Sequence, residues 1–151
     1  MKRLHTGLFE NGQPNDTGTV YWRHPDNERH NYDSLRYWTD LARLCEDAKL
    51  DFLFLADAWG WAEIDGKRPE PCSIEGLELP RIDPAIIVAS LIPGTQHLGL
   101  TITAATLVEQ PFSLERRLAS LDQLSGGRFG WNVGNGGHGG GRLRARCREA
   151  R

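Results

Sequence analysis

The chain has 151 residues, of which 39% are hydrophobic and 25% charged, and its formal net charge is -2 at pH 7. These values are typical of one globular domain and exclude a collagen, a coiled coil and an acidic disordered chain. No apolar run approaches the ~20 residues of a transmembrane helix, so we expect no membrane partner. Cys45, Cys72 and Cys147 lack CxxC spacing, which predicts neither a metal site nor a disulfide and favours a cytoplasmic location.

The first part of the chain predicts strand, helix and strand. Leu4–Glu10 is predicted to be a strand, and the polar residues 11–31 form a loop long enough to be a functional lid or a disordered segment. Asp33 or Ser34 can cap the helix that follows. Its apolar residues recur at steps of three and four: Leu35, Trp38, Leu41, Ala42, Cys45 and Ala48. Asp51–Asp57 then predicts a strand that is buried on both faces.

The second part repeats this alternation after another long loop, residues 58–82. Asp83 and Pro84 are typical of a helix start, and Pro93 ends that helix. Residues 97–107 predict a third strand and residues 129–133 a fourth. Between them a third helix begins at Pro111 and ends at Gly126 and Gly127, with an apolar stripe formed by Leu114, Leu118, Leu121 and Leu124.

This order of elements predicts an α/β fold with about four parallel strands and three helices. Two architectures have that order, an open doubly wound sheet and a TIM (β/α)8 barrel. A full barrel needs about 250 residues. The chain therefore has room for half of a barrel.

Polar side chains lie at the carboxyl ends of three predicted strands. Thr103 and Asn132 alternate with apolar residues that we expect beneath the helices, so both should face the other way. Asp57 shares a face of its strand with Leu53 and Leu55, and we expect that face to be the one that points away from the helices. Ligands of parallel α/β folds bind at this edge. A carboxylate, a hydroxyl and an amide suit a ligand with sugar-like hydroxyls or a ring that carries donors and acceptors.

Plain structural explanations compete with each of these assignments. A threonine is a common strand former, and an aspartate at a strand end can simply be solvated or paired. The tryptophans of the long loops, Trp22, Trp59 and Trp61, either line an aromatic ligand or pack the loops. The histidines have no metal-site spacing.

Five blocks of sequence carry a resemblance to a known family: FLAD at 54–57, DP at 83–84, GLTITAATL at 99–107, PFSLERR at 111–117 and LDQLSGGRFGWNV at 121–133. In this order they resemble the luciferase-like flavin-dependent monooxygenases. The most similar branch contains nitrilotriacetate and dibenzothiophene-sulfone monooxygenases. The resemblance covers most of residues 1–133 and implies the N-terminal half of a TIM barrel.

The resemblance also implies a chemistry. The family uses FMN that a separate flavin reductase supplies in reduced form, and with O2 it inserts one oxygen atom into a small organic substrate. Asp57 and Thr103 fall on the family's flavin-contact positions, and Asn132 is a third candidate contact. No catalytic residue and no metal ligand is assigned. The resemblance further implies that the full-length family members form homo-oligomers and that nucleic acid is not a partner.

The composition changes after Val133. Residues 134–151 contain five arginines and one glutamate, and thirteen of these eighteen residues are Gly, Arg or Ala. We interpret this segment as a disordered, frameshifted tail that follows a partial barrel domain at 1–133. On that interpretation we expect a truncated chain that is weakly stable, self-associates and is inactive.

An alternative takes the tail as it stands. Gly134, Gly136 and Gly139 satisfy the G-x-G-x-x-G pattern, so the chain could be a small complete α/β module that binds a nucleotide or a phosphate. Nucleic-acid binding by the arginines is less favoured, because no aromatic residues are interleaved with them.

Overall fold

The computed structural model describes residues 3–15, 24–60 and 63–134 of the chain. Four strands form one parallel sheet in the order β1-β2-β3-β4: β1 (Gly7–Asn11), β2 (Phe52–Ala56), β3 (Gly99–Ala105) and β4 (Phe129–Gly134). The α-helices are α1 (Leu35–Asp47), α2 (Glu70–Ile74), α3 (Pro84–Leu91) and α4 (Pro111–Ser125). The predicted α/β architecture is confirmed, and α2 is an additional short helix inside the predicted 58–82 loop.

One face of the sheet is buried beneath the helices. Leu53 pairs in register with Leu100, and Leu55 pairs with Ile102; all four side chains are at most 1% exposed. Helix residues including Trp38, Val88, Leu91 and Leu118 complete this core. The opposite face is more accessible: Phe9 is 57% exposed and packs edge-to-face on Phe54, with ring centroids 5.3 Å apart.

The helix stripes are narrower than the sequence predicted. In α1 the buried residues are Trp38, Ala42 and Cys45, whereas Leu35 is exposed. In α4 the predicted Leu124 is 70% exposed, because the buried stripe continues from Leu121 to Ser125. Steps of four, three and four residues from Leu114 lead to that serine and leave Leu124 on the solvent side.

Both helix signals that flank β3 are confirmed. The carboxylate of Asp83 accepts a hydrogen bond from the N–H of Ala85 at 2.8 Å, and Pro84 opens α3. At the end of α4, Gly126 takes a left-handed conformation with a φ of 68°. Glycine adopts this conformation without the steric penalty of a side chain.

Residues 135–151 lie outside the described residues, and with them most of the predicted Gly/Arg-rich tail, including Gly136 and Gly139. Gly134, the first residue of that predicted tail, is the last residue of β4.

Two charged side chains fasten the amino-terminal edge of the sheet. The Arg128 guanidinium donates to the carbonyl of Ser125 at 2.9 Å, to the carbonyl of Leu98 at 2.8 Å and to the hydroxyl of Thr95 at 3.0 Å. It therefore joins the end of α4 to the segment that enters β3.

Glu46 forms the second set of hydrogen bonds at this edge of the sheet. Its carboxylate accepts hydrogen bonds from the backbone N–H groups of Gln96, His97 and Leu98, so that α1 is tied to the start of β3. These bonds, the one from His97 foremost, hold the pKa of the Glu46 carboxyl below its ordinary value.

We expect Arg128→Met to lower the free energy of unfolding by about 2–3 kcal/mol, because it leaves several half-buried acceptors without their charged donor. Urea unfolding of the purified protein measures this change. Arg116→Met is the matched control, since Arg116 lies on the exposed side of α4, and we expect a change within about 0.5 kcal/mol. Equal effects of the two substitutions would contradict the fastening role.

Glu46→Gln should lower the free energy of unfolding by about 1 kcal/mol at neutral pH, because charge-assisted hydrogen bonds are the stronger kind. The pKa of Glu46 is lowered in the folded state, so its contribution is present above the unfolded pKa and is lost as the pH falls through the folded pKa. Urea unfolding from neutral to acidic pH should show the difference disappearing in acid. Asp47→Asn, one residue along on the exposed side, should show no such pH-dependent difference.

Candidate active site

A cleft of about 290 Å³ opens at the carboxyl ends of β2 and β3. It is lined by residues that follow β2, by the end of β3 and by the segment that enters α3: Asp57–Gly60, Leu79, Arg81–Pro84, Ile102–Ala104, Glu109 and Arg117. The predicted site residues Asp57 and Thr103 therefore share one cleft.

Thr103 and Asn132 meet directly on the accessible face of the sheet. They are register partners on β3 and β4, and the Asn132 amide donates to the Thr103 hydroxyl at 3.1 Å. Gly130 and Gly134 flank Asn132 on the same face. A Cβ on Gly130 would lie 2.5 Å from the Thr101 hydroxyl, so a side chain there would collide with β3. On this face of β4 the positions two residues before and two residues after Asn132 therefore carry no side chain.

Asp57 reaches the cleft by a different route from the one the sequence predicted. Leu53 and Leu55 are completely buried beneath the helices, so the expectation that their face is the open one was wrong. The paired part of β2 ends at Ala56, and strand alternation no longer governs the side chain that follows. The Asp57 carboxylate accepts a hydrogen bond from the N–H of Ala58 at 2.8 Å.

Burial raises the pKa of Asp57 to about 6. The hydrogen bond from Ala58 and the nearby Arg81 guanidinium oppose this rise, whereas the negative charges of Asp83 and Glu109 add to it. Near pH 6 the carboxyl is thus present both as a hydrogen-bond donor and as an acceptor. A group of this kind in a cleft is typical of a functional site.

Arg117 braces the rim of the cleft, and sequence reasoning missed it. Its guanidinium contacts the Glu109 carboxylate at 2.5 Å and the Asp83 carboxylate at 3.7 Å, so it joins the loop after β3 to the start of α3. Within the described residues its buried Nε has no hydrogen-bond partner. The available signal was positional: α3 and α4 both begin at the carboxyl edge, which places the cap residue Asp83 and the second turn of α4, with Arg117, near the site.

Of the tryptophans in the long loops, Trp59 lines the cleft and is 42% exposed, whereas Trp22 and Trp61 lie outside the described residues. No group of three His, Cys, Asp or Glu side chains that could hold a metal ion occurs in residues 3–15, 24–60 and 63–134. In the same ranges no helix has both the length and the apolar character needed to cross a bilayer.

Asp57→Asn should make stability less dependent on pH. The folded pKa of Asp57 is raised, so its contribution is fully present below the unfolded pKa of about 4 and is lost as the pH rises through about 6. Asparagine does not ionise, and we expect the variant to exceed the wild type by about 1–2 kcal/mol at slightly alkaline pH, allowing for partial exposure. Urea unfolding across this pH range measures the difference.

Asp122→Asn is the control for this substitution, because Asp122 is exposed on α4 and the substitution should leave the pH profile unchanged. A wild-type profile that is flat between about pH 4 and pH 7, with Asp57→Asn parallel to it, would contradict the burial of the Asp57 carboxyl.

Comparisons by sequence and by structure both find a long-chain alkane monooxygenase among the proteins similar to this chain. A riboflavin lyase, solved with modified FMN and the substrate riboflavin, has a TM-score of 0.88 and 57% identity over 98% of this chain and 33% of its own. The long-chain alkane monooxygenase of Geobacillus thermodenitrificans (strain NG80-2) is 37% identical over 87% of this chain and 30% of its own length. Nitrilotriacetate monooxygenase component A of Aminobacter aminovorans is 36% identical over 74% of this chain and 25% of its length.

The chain thus spans about a third or less of the length of these relatives. The family model described as luciferase-like monooxygenase matches residues 2–139, nearly all of the sequence. That match extends over the sheet, the helices and the cleft, and it confirms the resemblance that the sequence blocks indicated: the chain belongs to the luciferase-like monooxygenase family.

Proposed function

We propose that this chain forms part of the flavin site of an FMN-dependent monooxygenase. A separate flavin reductase supplies the reduced FMN, and one oxygen atom of O2 is inserted into a small organic substrate. The observation that carries the proposal is the Thr103–Asn132 hydrogen bond at the carboxyl edge of the sheet, beside the cleft that Asp57 lines. Family membership supports the same chemistry.

The residues present fit a flavin ring. An isoalloxazine is flat, with an apolar end and an edge that alternates hydrogen-bond donors and acceptors. Leu79 and Ile82 give the cleft apolar walls, and Asp57 and Thr103 provide polar groups within it. Asn132 lies beside the cleft, hydrogen-bonded to Thr103. Mostly apolar pockets with a few convergent polar groups are typical of cofactor sites.

The hydrogen bond between the two strands determines what each side chain can offer a ligand. Because the Thr103 oxygen accepts from Asn132, its own O–H proton can be donated onward. The carbonyl oxygen of Asn132 is by its chemistry an acceptor. Asp57 donates when it is protonated and accepts when it is ionised, and its pKa of about 6 makes both forms accessible. These residues would hold and orient FMN, and the bound FMN would supply the redox chemistry with O2.

A flavin reductase partner is supported by a relative whose name includes the words "component A", nitrilotriacetate monooxygenase. The homo-oligomer and the cytoplasmic location stay predictions. The division into a barrel domain at 1–133 and a separate tail also stays a proposal.

A flavin substrate is the second candidate. The riboflavin lyase shares 57% identity with the chain, whereas the structure of a long-chain alkane monooxygenase shares 34%. This difference favours riboflavin over an alkane as the compound that the protein acts on. A reductase-coupled assay with riboflavin, an alkane and an organic sulfone as separate substrates distinguishes the candidates by the product that mass spectrometry identifies. The absence of any product is the result expected if this chain is the inactive fragment that the sequence analysis predicts.

We expect Thr103→Val and Asn132→Leu to weaken binding of reduced FMN by roughly tenfold each, since each removes one hydrogen-bonding group from the ligand edge. Anaerobic titration of FMN into the protein measures the dissociation constant. Thr101→Val is the matched control: Thr101 lies on the same face of β3, two residues further from the carboxyl edge. The proposal fails if the wild type binds no FMN, or if all three substitutions have the same effect.

A further inference from the structure

The loop that follows β1 is hydrogen-bonded to the segment that leads into α3. The N–H of Ile82 donates to the carbonyl of Gly12 at 2.8 Å, and the N–H of Glu78 donates to the carbonyl of Asn15 at 3.0 Å. The Asn15 amide donates to the carbonyl of Glu75 at 2.6 Å. Residues 12–15, here called the β1 loop, are therefore fixed relative to residues 78–82, the segment that carries Arg81.

Arg81 extends this connection to the loop that follows β2. Its Nε donates to the side-chain carbonyl of Gln13 at 2.7 Å, and Gln13 is only 4% exposed. Its Nη1 donates to the backbone carbonyl of Ala58 and, at 3.3 Å, to that of Gly60. Asp57–Gly60, here called the β2 loop, carries both the carboxyl and the indole that line the cleft. One guanidinium thus holds the β1 loop and the β2 loop together.

The acceptors of Arg81 indicate what this side chain does. Among the residues that the structure describes, all of these acceptors are neutral carbonyl groups, so the hydrogen bonds of Arg81 hold backbone and amide groups in place and do not form a salt bridge. Its positive charge lies close enough to Asp57 to lower the pKa of that carboxyl, against the opposite effect of Asp83 and Glu109. Arg117, the other cation of the cleft, is paired with those two acids.

We propose that Arg81 is a positioning residue, whose planar guanidinium fixes the β2 loop so that Asp57 and Trp59 face the cleft. The consequence for FMN rests on the proposed function, whereas the consequence for the β2 loop does not. A lysine at this position keeps the charge, but a single ammonium group does not reproduce the directed N–H groups of a guanidinium. Charge and geometry can therefore be separated by substitution.

The experiment compares Arg81→Lys and Arg81→Met with the wild type. It uses three measurements: the Asp57 titration by carboxyl 13C NMR, amide hydrogen exchange across the β2 loop, and the dissociation constant of reduced FMN. Asp57→Asn assigns the Asp57 signal. Arg43→Met removes an exposed arginine of α1 and should leave all three measurements unchanged.

We expect Arg81→Met to raise the pKa of Asp57 above its wild-type value, because a neighbouring positive charge is lost. Arg81→Lys should leave the pKa close to the wild-type value. Both substitutions should accelerate amide exchange in the β2 loop and weaken FMN binding by roughly tenfold, since both remove the guanidinium geometry. If Arg81 only stabilised the fold, the two variants would not share the faster amide exchange while differing in the pKa of Asp57.

Three results would overturn the proposal: wild-type exchange in the β2 loop of Arg81→Lys, an unchanged Asp57 pKa in Arg81→Met, or the same changes in Arg43→Met. If Arg81→Met does not fold, Gln13→Leu takes its place, because it removes one hydrogen-bond partner of Arg81 and keeps the positive charge. We then expect faster amide exchange in the β2 loop at an unchanged pKa of Asp57. Unaltered exchange in Gln13→Leu would reject the proposal. If the wild type binds no FMN, the proposed function fails, while the exchange and pKa measurements still decide the role of Arg81.

Discussion

The structure depends on the burial of one face of a parallel sheet. Leucine and isoleucine side chains of β2 and β3 lie side by side beneath the helices and are almost completely removed from water. This burial is the dominant favourable contribution to folding, and a shift of register by one residue would expose every one of these side chains. The same alternation places Thr103 and Asn132 on the accessible face. The position of the polar site is thus a consequence of the packing of the core.

The two ends of the sheet use charged side chains differently. At the amino end, Arg128 and Glu46 form hydrogen bonds that tie α4 and α1 to the segment that enters β3. At the carboxyl end, the Asp57 carboxyl is half-buried with a raised pKa, and the buried Nε of Arg117 has no partner within the described part of the chain. Hydrogen bonds from charged side chains to backbone groups stabilise a fold, whereas buried groups without a partner and groups with a perturbed pKa are typical of functional sites.

At the carboxyl edge of the sheet, loops position the site residues that lie outside the strands. Asp57 lies beyond the last paired residue of β2, so its position depends on the β2 loop. Arg81 bonds that loop to the β1 loop, which is itself bonded to the entry of α3. Rigid loops of this kind allow related proteins to share a scaffold and act on different compounds. The names of two relatives, a riboflavin lyase and a long-chain alkane monooxygenase, refer to different compounds.

The sequence by itself determined the order of the strands and of α1, α3 and α4, the cap at Asp83, the stop at Gly126 and the family. These features follow from local periodicity and from residue types with strong backbone preferences. It also predicted that Thr103 and Asn132 share a face, because both lie inside regular strands. Only the tertiary structure decided how Asp57 reaches the cleft, and only it brought Arg81, Glu109 and Arg117 to the same edge. These residues are placed by loops and by contacts between distant segments, for which no local periodicity exists.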